Sequence, residues 1–182
     1  MEKNGVRKIA VVGAESTGKT WLCEALAKHY HTVFVPEYAR EYFNDSSIYN
    51  YTLNDLVVIA KKQIELENEN ISRASRFLFC DTTLITLKIW AELEFEQTPS
   101  FIADQLLKVT YDHYFLTDNA IPWMEDELRQ NKHSRDLLFK MNLEEIILTG
   151  VPYTIITGRE EQRLKRAIDI LTGLFGDQDL MG

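Results

Sequence analysis

The residue pattern of this chain predicts a three-layer α/β domain, with five parallel strands in one sheet and helices on both faces. Three observations support that fold. Short apolar runs recur at Lys8 to Val12, Thr32 to Val35, Phe77 to Cys80, Tyr114 to Leu116 and Tyr153 to Ile156, with helical spacing in the gaps between them. Such alternation implies parallel strands joined by right-handed helical crossovers. A glycine-bounded octet, Gly13-Ala14-Glu15-Ser16-Thr17-Gly18-Lys19-Thr20, sits where the first run gives way to the first helical pattern. Finally, no run approaches the ~18 consecutive apolar residues of a membrane span.

The first strand is Ile9-Ala10-Val11-Val12, and Leu22, Ala25, Leu26 and Tyr30 mark the first helix. The octet between them fits G-x-x-x-x-G-K-[ST] without a mismatch. Placed between strand and helix, such a loop curls successive backbone N–H groups around phosphates, with the partial positive charge of the helix start behind them. ATP or GTP is therefore the expected ligand. Gly13 and Gly18 leave room for close approach, and Glu15, Ser16 and Thr17 supply amides between them. Lys19 reaches the terminal phosphates as a point charge, and the Thr20 hydroxyl ligates Mg²⁺.

Pro36-Glu37-Tyr38-Ala39-Arg40-Glu41-Tyr42 follows the second strand. The longest helix opens at the capping box Thr52-Leu53-Asn54-Asp55, with Leu53, Leu56, Val57, Ala60, Ile64 and Ile71 on one face. Glu65, Glu67 and Glu69, with Lys61 and Lys62, read as its wet face. The third strand ends in Asp81-Thr82-Thr83, and the fourth in Thr117-Asp118-Asn119. Helical patterns then cover Asp136 to Leu148 and, through Leu164, Ala167, Ile168, Leu171 and Phe175, the end of the chain; Gly176 to Gly182 reads as a frayed tail.

In an open parallel sheet, ligands bind beyond the carboxyl ends of the strands. A strand order of 2-3-1-4-5 sets the third strand beside the first, with the second two spacings, about 10 Å, away. Asp81 would then stand beside the metal, with capping of the following helix as its alternative role. Glu37 would stand where an acceptor meets the terminal phosphoryl group, as the base for an attacking hydroxyl, with Asp81 as the fallback. Tyr38, Arg40 and Tyr42 offer a flat platform and a cation for the acceptor, although Tyr42 fits the core equally well. Arg129 and Arg135, after the fourth strand, are candidates to neutralise charge during transfer as their segment closes.

The chain has 182 residues, 45% hydrophobic and 26% charged, which are ordinary values for one globular domain over residues 1–182. Its net charge of −8 argues against a nucleic-acid backbone as partner. The N-terminus has no apolar leader, so a cytoplasmic protein without a membrane partner is expected. A homo-oligomer is compatible with everything above. Cys23 and Cys80 read as core residues, and His29, His31, His113 and His133, without ligand spacing, as surface or partly buried residues.

The chain resembles the ribosylnicotinamide kinase domain of NadR-type proteins, a branch of the P-loop NTPase fold, over nearly its whole length. The octet carries the likeness first. Glu37-Tyr38-Ala39-Arg40-Glu41-Tyr42 is close to that family's E-Y-G-R-[DE]-[YF], Asp81-Thr82 matches its strand-ending D-T, and Pro122-Trp123 through Asp126 to Arg129 resembles its P-W-x-x-D-G-x-R. The segment from Gly158 to Arg163 is similar to one that borders the adenine in related kinases. The resemblance implies ATP- and Mg²⁺-dependent phosphorylation of the 5′-hydroxyl of nicotinamide riboside. Two positions depart from the pattern: Pro36 stands where the family often has a ring-stacking tryptophan, and Glu127 replaces a glycine. Tyr38, Tyr42 or Trp123 would then have to supply the stacking face. A fused adenylyltransferase domain is not expected, since nothing of that length precedes Gly13.

Two alternatives remain, a kinase for another nucleoside and a nucleotide-dependent switch. The guanine-reading N-K-x-D is incomplete at Asn131-Lys132-His133-Ser134, and D-x-x-G at Asp81-Thr82-Thr83-Leu84, which disfavours the switch.

Overall fold

A computed structural model describes residues 5–44, 50–119, 121 and 135–176. Strands β1 (Arg7–Gly13), β2 (Phe34–Val35), β3 (Phe77–Asp81), β4 (His113–Thr117) and β5 (Tyr153–Ile156) form one parallel sheet in the order β2-β3-β1-β4-β5. Seven helices accompany them among the described residues: α1 (Lys19–His29), α2 (Tyr38–Asn44), α3 (Leu53–Ile71), α4 (Leu84–Phe95), α5 (Ser100–Leu106), α6 (Arg135–Thr149) and α7 (Glu160–Phe175).

The period-two alternation of the central strand divides the core. Ile9 and Val11 join Leu22, Leu26, Ala167 and Leu171 under α1 and α7, while Ala10 and Val12 join Ile85, Ile89, Leu138 and Ile146 under α4 and α6. Each fully buried side chain of this size contributes about 1.5–3 kcal/mol. A third cluster, with Phe43, Leu56, Ile59, Leu87 and Ile102, packs α2 and α3 against α4 and α5. Registers Val11↔Asp81 and Gly13↔Thr117 bring the carboxyl ends of three strands to one edge. No helix among the described residues is long and apolar enough to cross a membrane.

Four expectations need correction. The second strand spans only Phe34–Val35, and the chain enters a short helix at Tyr38. Glu67 is not on a wet face: it is 4% exposed, Tyr111 Oη donates to its Oε1 at 2.8 Å, and Lys8 Nζ lies 2.5 Å from its Oε2. The buried line of α3 runs Leu56, Ile59, Ala60, Gln63 and Glu67, so two polar residues share the face read as aliphatic. His113 lies inside β4 and is buried. The capping box of α3 forms as expected, with Thr52 N donating to Asp55 Oδ2 at 2.7 Å and Asp55 N to Thr52 Oγ1 at 3.3 Å. The expected frayed tail falls, from residue 177 onward, outside the described residues.

Candidate functional site

The loop from Gly13 to Thr20 leaves β1 and enters α1 without a side-chain cap, its Gly18 lying at φ 77°. The first N–H groups of α1 therefore have no capping side chain and point where an anion would sit. A side chain at Gly18 would be strained by that φ, and its Cβ would fall 2.8 Å from Ile121 Cδ1. Gly13 lies so close to β4 that a Cβ there would stand 2.3 Å from Thr117 Oγ1. Thr17, fully buried, staples the loop: its Oγ1 donates to Ala14 O at 2.7 Å and lies 2.6 Å from Thr117 Oγ1. Ser16 is held at φ 57°, a conformation that a rigid surround must maintain.

Two arginines hold this loop from outside. Arg163, with no exposed surface, donates Nη1 to Thr17 O, Nη2 to the Asp118 carboxylate and Nε to Gly158 O at 2.9 Å. Arg135 donates to Ile121 O at 2.9 Å and lies 3.4 Å from Ser16 O. Arg135 is thus engaged with main-chain carbonyls of the loop region, not aimed as a free cation. The resemblance marks Arg163 only as the end of a segment similar to one that borders the adenine; the signal for its loop-holding position is a place on the buried stripe of α7, four residues before Ala167 and eight before Leu171.

Across the loop stand the acids. Asp81, 1% exposed at the tip of β3, accepts from Thr20 Oγ1 at 2.5 Å and from Thr82 Oγ1 at 3.3 Å. Thr82 sits at φ 71°, uncommon for a β-branched residue, at the sharp bend after the strand. Glu37 stands two residues past the end of β2 and accepts from Arg40 Nε at 3.1 Å, while Lys19 Nζ donates to the loop's own Ala14 O at 2.9 Å. Burial raises the Glu37 carboxyl above its usual range, and repulsion from Asp81 raises it further against the pull of Lys19 and Arg40. Asp81 is likewise raised by burial, opposed by Lys19, Thr20 and Arg40. Two acids and two cations therefore share one desolvated site.

Two cavities meet there. The larger, about 340 Å³, is lined by Ser16, Gly18, Thr20, Trp21, Ile121 and Glu160 among others. The smaller, about 30 Å³, lies toward Ala14, Glu15, Thr86, Trp90, Leu138 and Asn142. Lys19, Glu37 and Arg40 line both. Of the residues expected to hold nucleotide, Ser16, Thr17, Gly18, Lys19 and Thr20 line the larger cavity and Gly13 and Glu15 the smaller. Gly158 contributes its carbonyl to Arg163. Tyr38 and Tyr42 line neither cavity; both pack against the α2–α5 cluster, and Tyr42 Oη donates to Asp55 Oδ1 at 2.6 Å. Trp123 and Arg129 lie outside the described residues.

Residues 8–163 match the profile of a family described as an AAA domain. The chain belongs to this AAA domain family. The AAA domain chain is 25% identical over 181 residues to the trifunctional NAD biosynthesis/regulator protein NadR of Escherichia coli (strain K12), covering 95% of this chain and 44% of that protein. It spans less than half the length of the curated relatives it matches. A crystal structure of NadR protein in complex with NR superposes with a TM-score of 0.80 at 20% identity, covering 96% of this chain and 53% of the other. A second, of NadR protein in complex with NAD and AMP-PNP, gives 0.81 at 22%, with coverage of 96% and 51%. The resemblance to NadR-type proteins and the P-loop NTPase fold with strand order 2-3-1-4-5 both hold.

Proposed function

We propose that this protein is an ATP- and Mg²⁺-dependent kinase that phosphorylates the 5′-hydroxyl of a nucleoside, nicotinamide riboside being the favoured acceptor. The observation that supports it best is that Lys19, Glu37 and Arg40 stand between two cavities, one opening from the phosphate loop toward Trp21 and Glu160, the other running beneath Trp90. Transfer between two substrates needs such a partition, with the donor phosphate on one side and the acceptor on the other.

In this reading the loop amides and Lys19 hold the triphosphate, Lys19 exchanging Ala14 O for phosphate oxygens. The Thr20 hydroxyl and the Asp81 carboxylate meet beside the loop and are oxygen donors of the kind Mg²⁺ prefers, so these two residues would hold the ion once their mutual hydrogen bond gives way. When bound, such an ion would offset charge on the phosphate oxygens. The acceptor's 5′-oxygen forms a bond to the γ-phosphorus as the bond to the bridging oxygen breaks. ADP leaves, and the hydroxyl proton passes to Glu37, whose affinity for protons is raised by burial and by Asp81. Arg40 meets the charge that spreads over the transferring group. Arg129 and Trp123 belong to this reading as a closing cation and a ring platform.

The test is incubation of the pure protein with ATP, Mg²⁺ and a nucleoside panel, read by mass spectrometry. A product heavier by one phosphoryl group is expected with nicotinamide riboside, and none with Lys19→Ala. ATP hydrolysis with no phosphorylated nucleoside overturns the proposal in favour of a switch.

A further inference from the structure

Helix α6 turns one side to the core and the other to solvent. Leu138, Asn142 and Ile146 form its buried line, with Asn142 in the middle. At about 100° per residue, positions two removed from residue 142 lie about 20° from the outward pole of the helix, and positions five removed about 40°. Those positions are Lys140 and Glu144, then Leu137 and Ile147. All four are exposed, Leu137 by 47% and Ile147 by 54%, and the next residue, Leu148, by 79%. Lys140 and Glu144, though four apart on this face, pair with no charge among the described residues, while the adjacent Glu145 is taken by Lys88 of α4.

Read outward from residue 142 in either direction, the face carries a charge and then an aliphatic side chain at the same spacing, Leu137-x-x-Lys140-x-x-x-Glu144-x-x-Ile147, with the two charges opposite in sign. Scattered exposed leucines need no explanation, but this order is self-complementary. In an antiparallel pair of such helices crossing at residue 142, a residue n places before 142 faces the one n places after it in the other copy. Lys140 therefore meets Glu144 of the second copy, Glu144 meets its Lys140, and Leu137 meets Ile147 and Leu148 at each end. Every contact occurs twice, as a two-fold interface requires. A parallel pair would instead oppose lysine to lysine and glutamate to glutamate.

We infer that the outward face of α6 is a self-association surface, on which a second copy of this chain docks antiparallel about residue 142. The two central ion pairs set a local attraction against the mutual repulsion of chains that each carry a net charge of −8. The aliphatic ends supply the burial. One helix of about four turns from each copy makes a small contact, so the dimer belongs to the weak, reversible class. Its face is opposite the side of α6 on which Leu138 and Asn142 line the smaller cavity, and the dimer is independent of the kinase reading.

Sedimentation equilibrium of the purified chain, from low micromolar to about 1 mM, should show a monomer and a dimer in exchange. Lys140→Glu places a carboxylate against Glu144 of the second copy at both central contacts, and Glu144→Lys places an ammonium against Lys140, so each variant alone should associate about 10-fold more weakly or worse. Mixed in equal amounts, the two variants should dimerise with each other at about wild-type strength, because only that combination restores opposite charges at both contacts. Ile147→Glu should weaken association by about 100-fold or more, the loss being counted twice across the axis. These positions are exposed, and a melting curve for each variant checks that the fold is kept. A wild-type chain that stays monomeric up to about 1 mM overturns the inference. So does a dimer that both charge reversals leave intact, which would lie on another face, or a mixture of the two folded variants that fails to associate.

Discussion

Gln63 brackets Glu37. From the buried face of α3 its Oε1 accepts from Tyr38 N at 2.9 Å and its Nε2 donates to Pro36 O at 3.2 Å, so one side-chain amide grips the main chain on both sides of the proposed base. Gln63 is itself only 4% exposed, so its amide has these two main-chain groups as partners in place of water.

Gln63→Leu should therefore misplace the base without touching the phosphate loop. The expected result is a fall in kcat of about 10- to 100-fold with ATP affinity unchanged, since a displacement near 1 Å costs up to about 10² in rate. Stability should drop by about 1 kcal/mol in urea unfolding, from the loss of two part-buried hydrogen bonds. Unaltered kcat would mean that Gln63 serves the fold alone.

Glu37→Gln should lower kcat by about 10²- to 10⁴-fold while ATP binding, followed by titration calorimetry, persists. The wild-type kcat should rise with pH through a value above the ordinary carboxylate range, because burial and Asp81 favour the protonated form. That limb should vanish in the variant. A retained limb would transfer the role of base to Asp81.

The same shift has an opposite sign for stability. A carboxyl raised in the folded state keeps its proton when the unfolded chain has released one, so the folded protein loses stability as pH rises from the ordinary carboxylate range through the raised value. Denaturation midpoints at several pH values should show this trend weakened in Glu37→Gln.

His113 behaves in the reverse sense. Burial pushes its imidazole down to about 4 from 6.5, with Nε2 at 2.9 Å from Thr154 Oγ1. Its contribution is complete above 6.5 and is lost as pH falls toward 4, where the unfolded chain binds the proton first. The stability difference between wild type and His113→Gln should stay constant above neutrality and shrink across that acid window.

Arg163→Met should cost about 3–5 kcal/mol, because Asp118 and the carbonyls of Thr17 and Gly158 lose a shared buried donor. Arg163→Lys should recover little of this, since a single ammonium cannot reproduce a planar fork. Nucleotide affinity should fall in both, as the loop carbonyl at Thr17 is released. Full affinity in Arg163→Lys would reduce Arg163 to a point charge.

Legibility in the sequence followed physical type. The phosphate loop was readable because its glycines, lysine and threonine are demanded at fixed positions, and Asp81 because an acid closing a five-residue buried strand has few other reasons to be there. The strand order came through because each strand is short, apolar and separated by helical spacing. What failed to show were the polar residues on apolar faces. Gln63 and Glu67 sit at core positions of α3, Arg163 at a core position of α7 and Asn142 at one of α6, and a reading that counts only hydrophobic residues passes over them. Their partners are main-chain atoms or distant side chains, Lys8 and Tyr111 for Glu67, and no local spacing announces such pairs. Tyr42 resolved toward the hydroxyl–carboxylate bond with Asp55, a choice that depended on where α2 and α3 meet.

A wall common to two rooms transmits what happens in either. Lys19, Glu37 and Arg40 line both cavities, so a triphosphate that draws Lys19 away from Ala14 would alter the charge balance around the neighbouring one. By reciprocity the occupant of that chamber changes affinity for the triphosphate by an equal factor. On the kinase reading, synergy between the two ligands would be a property of three side chains, with no need for communication through the rest of the molecule.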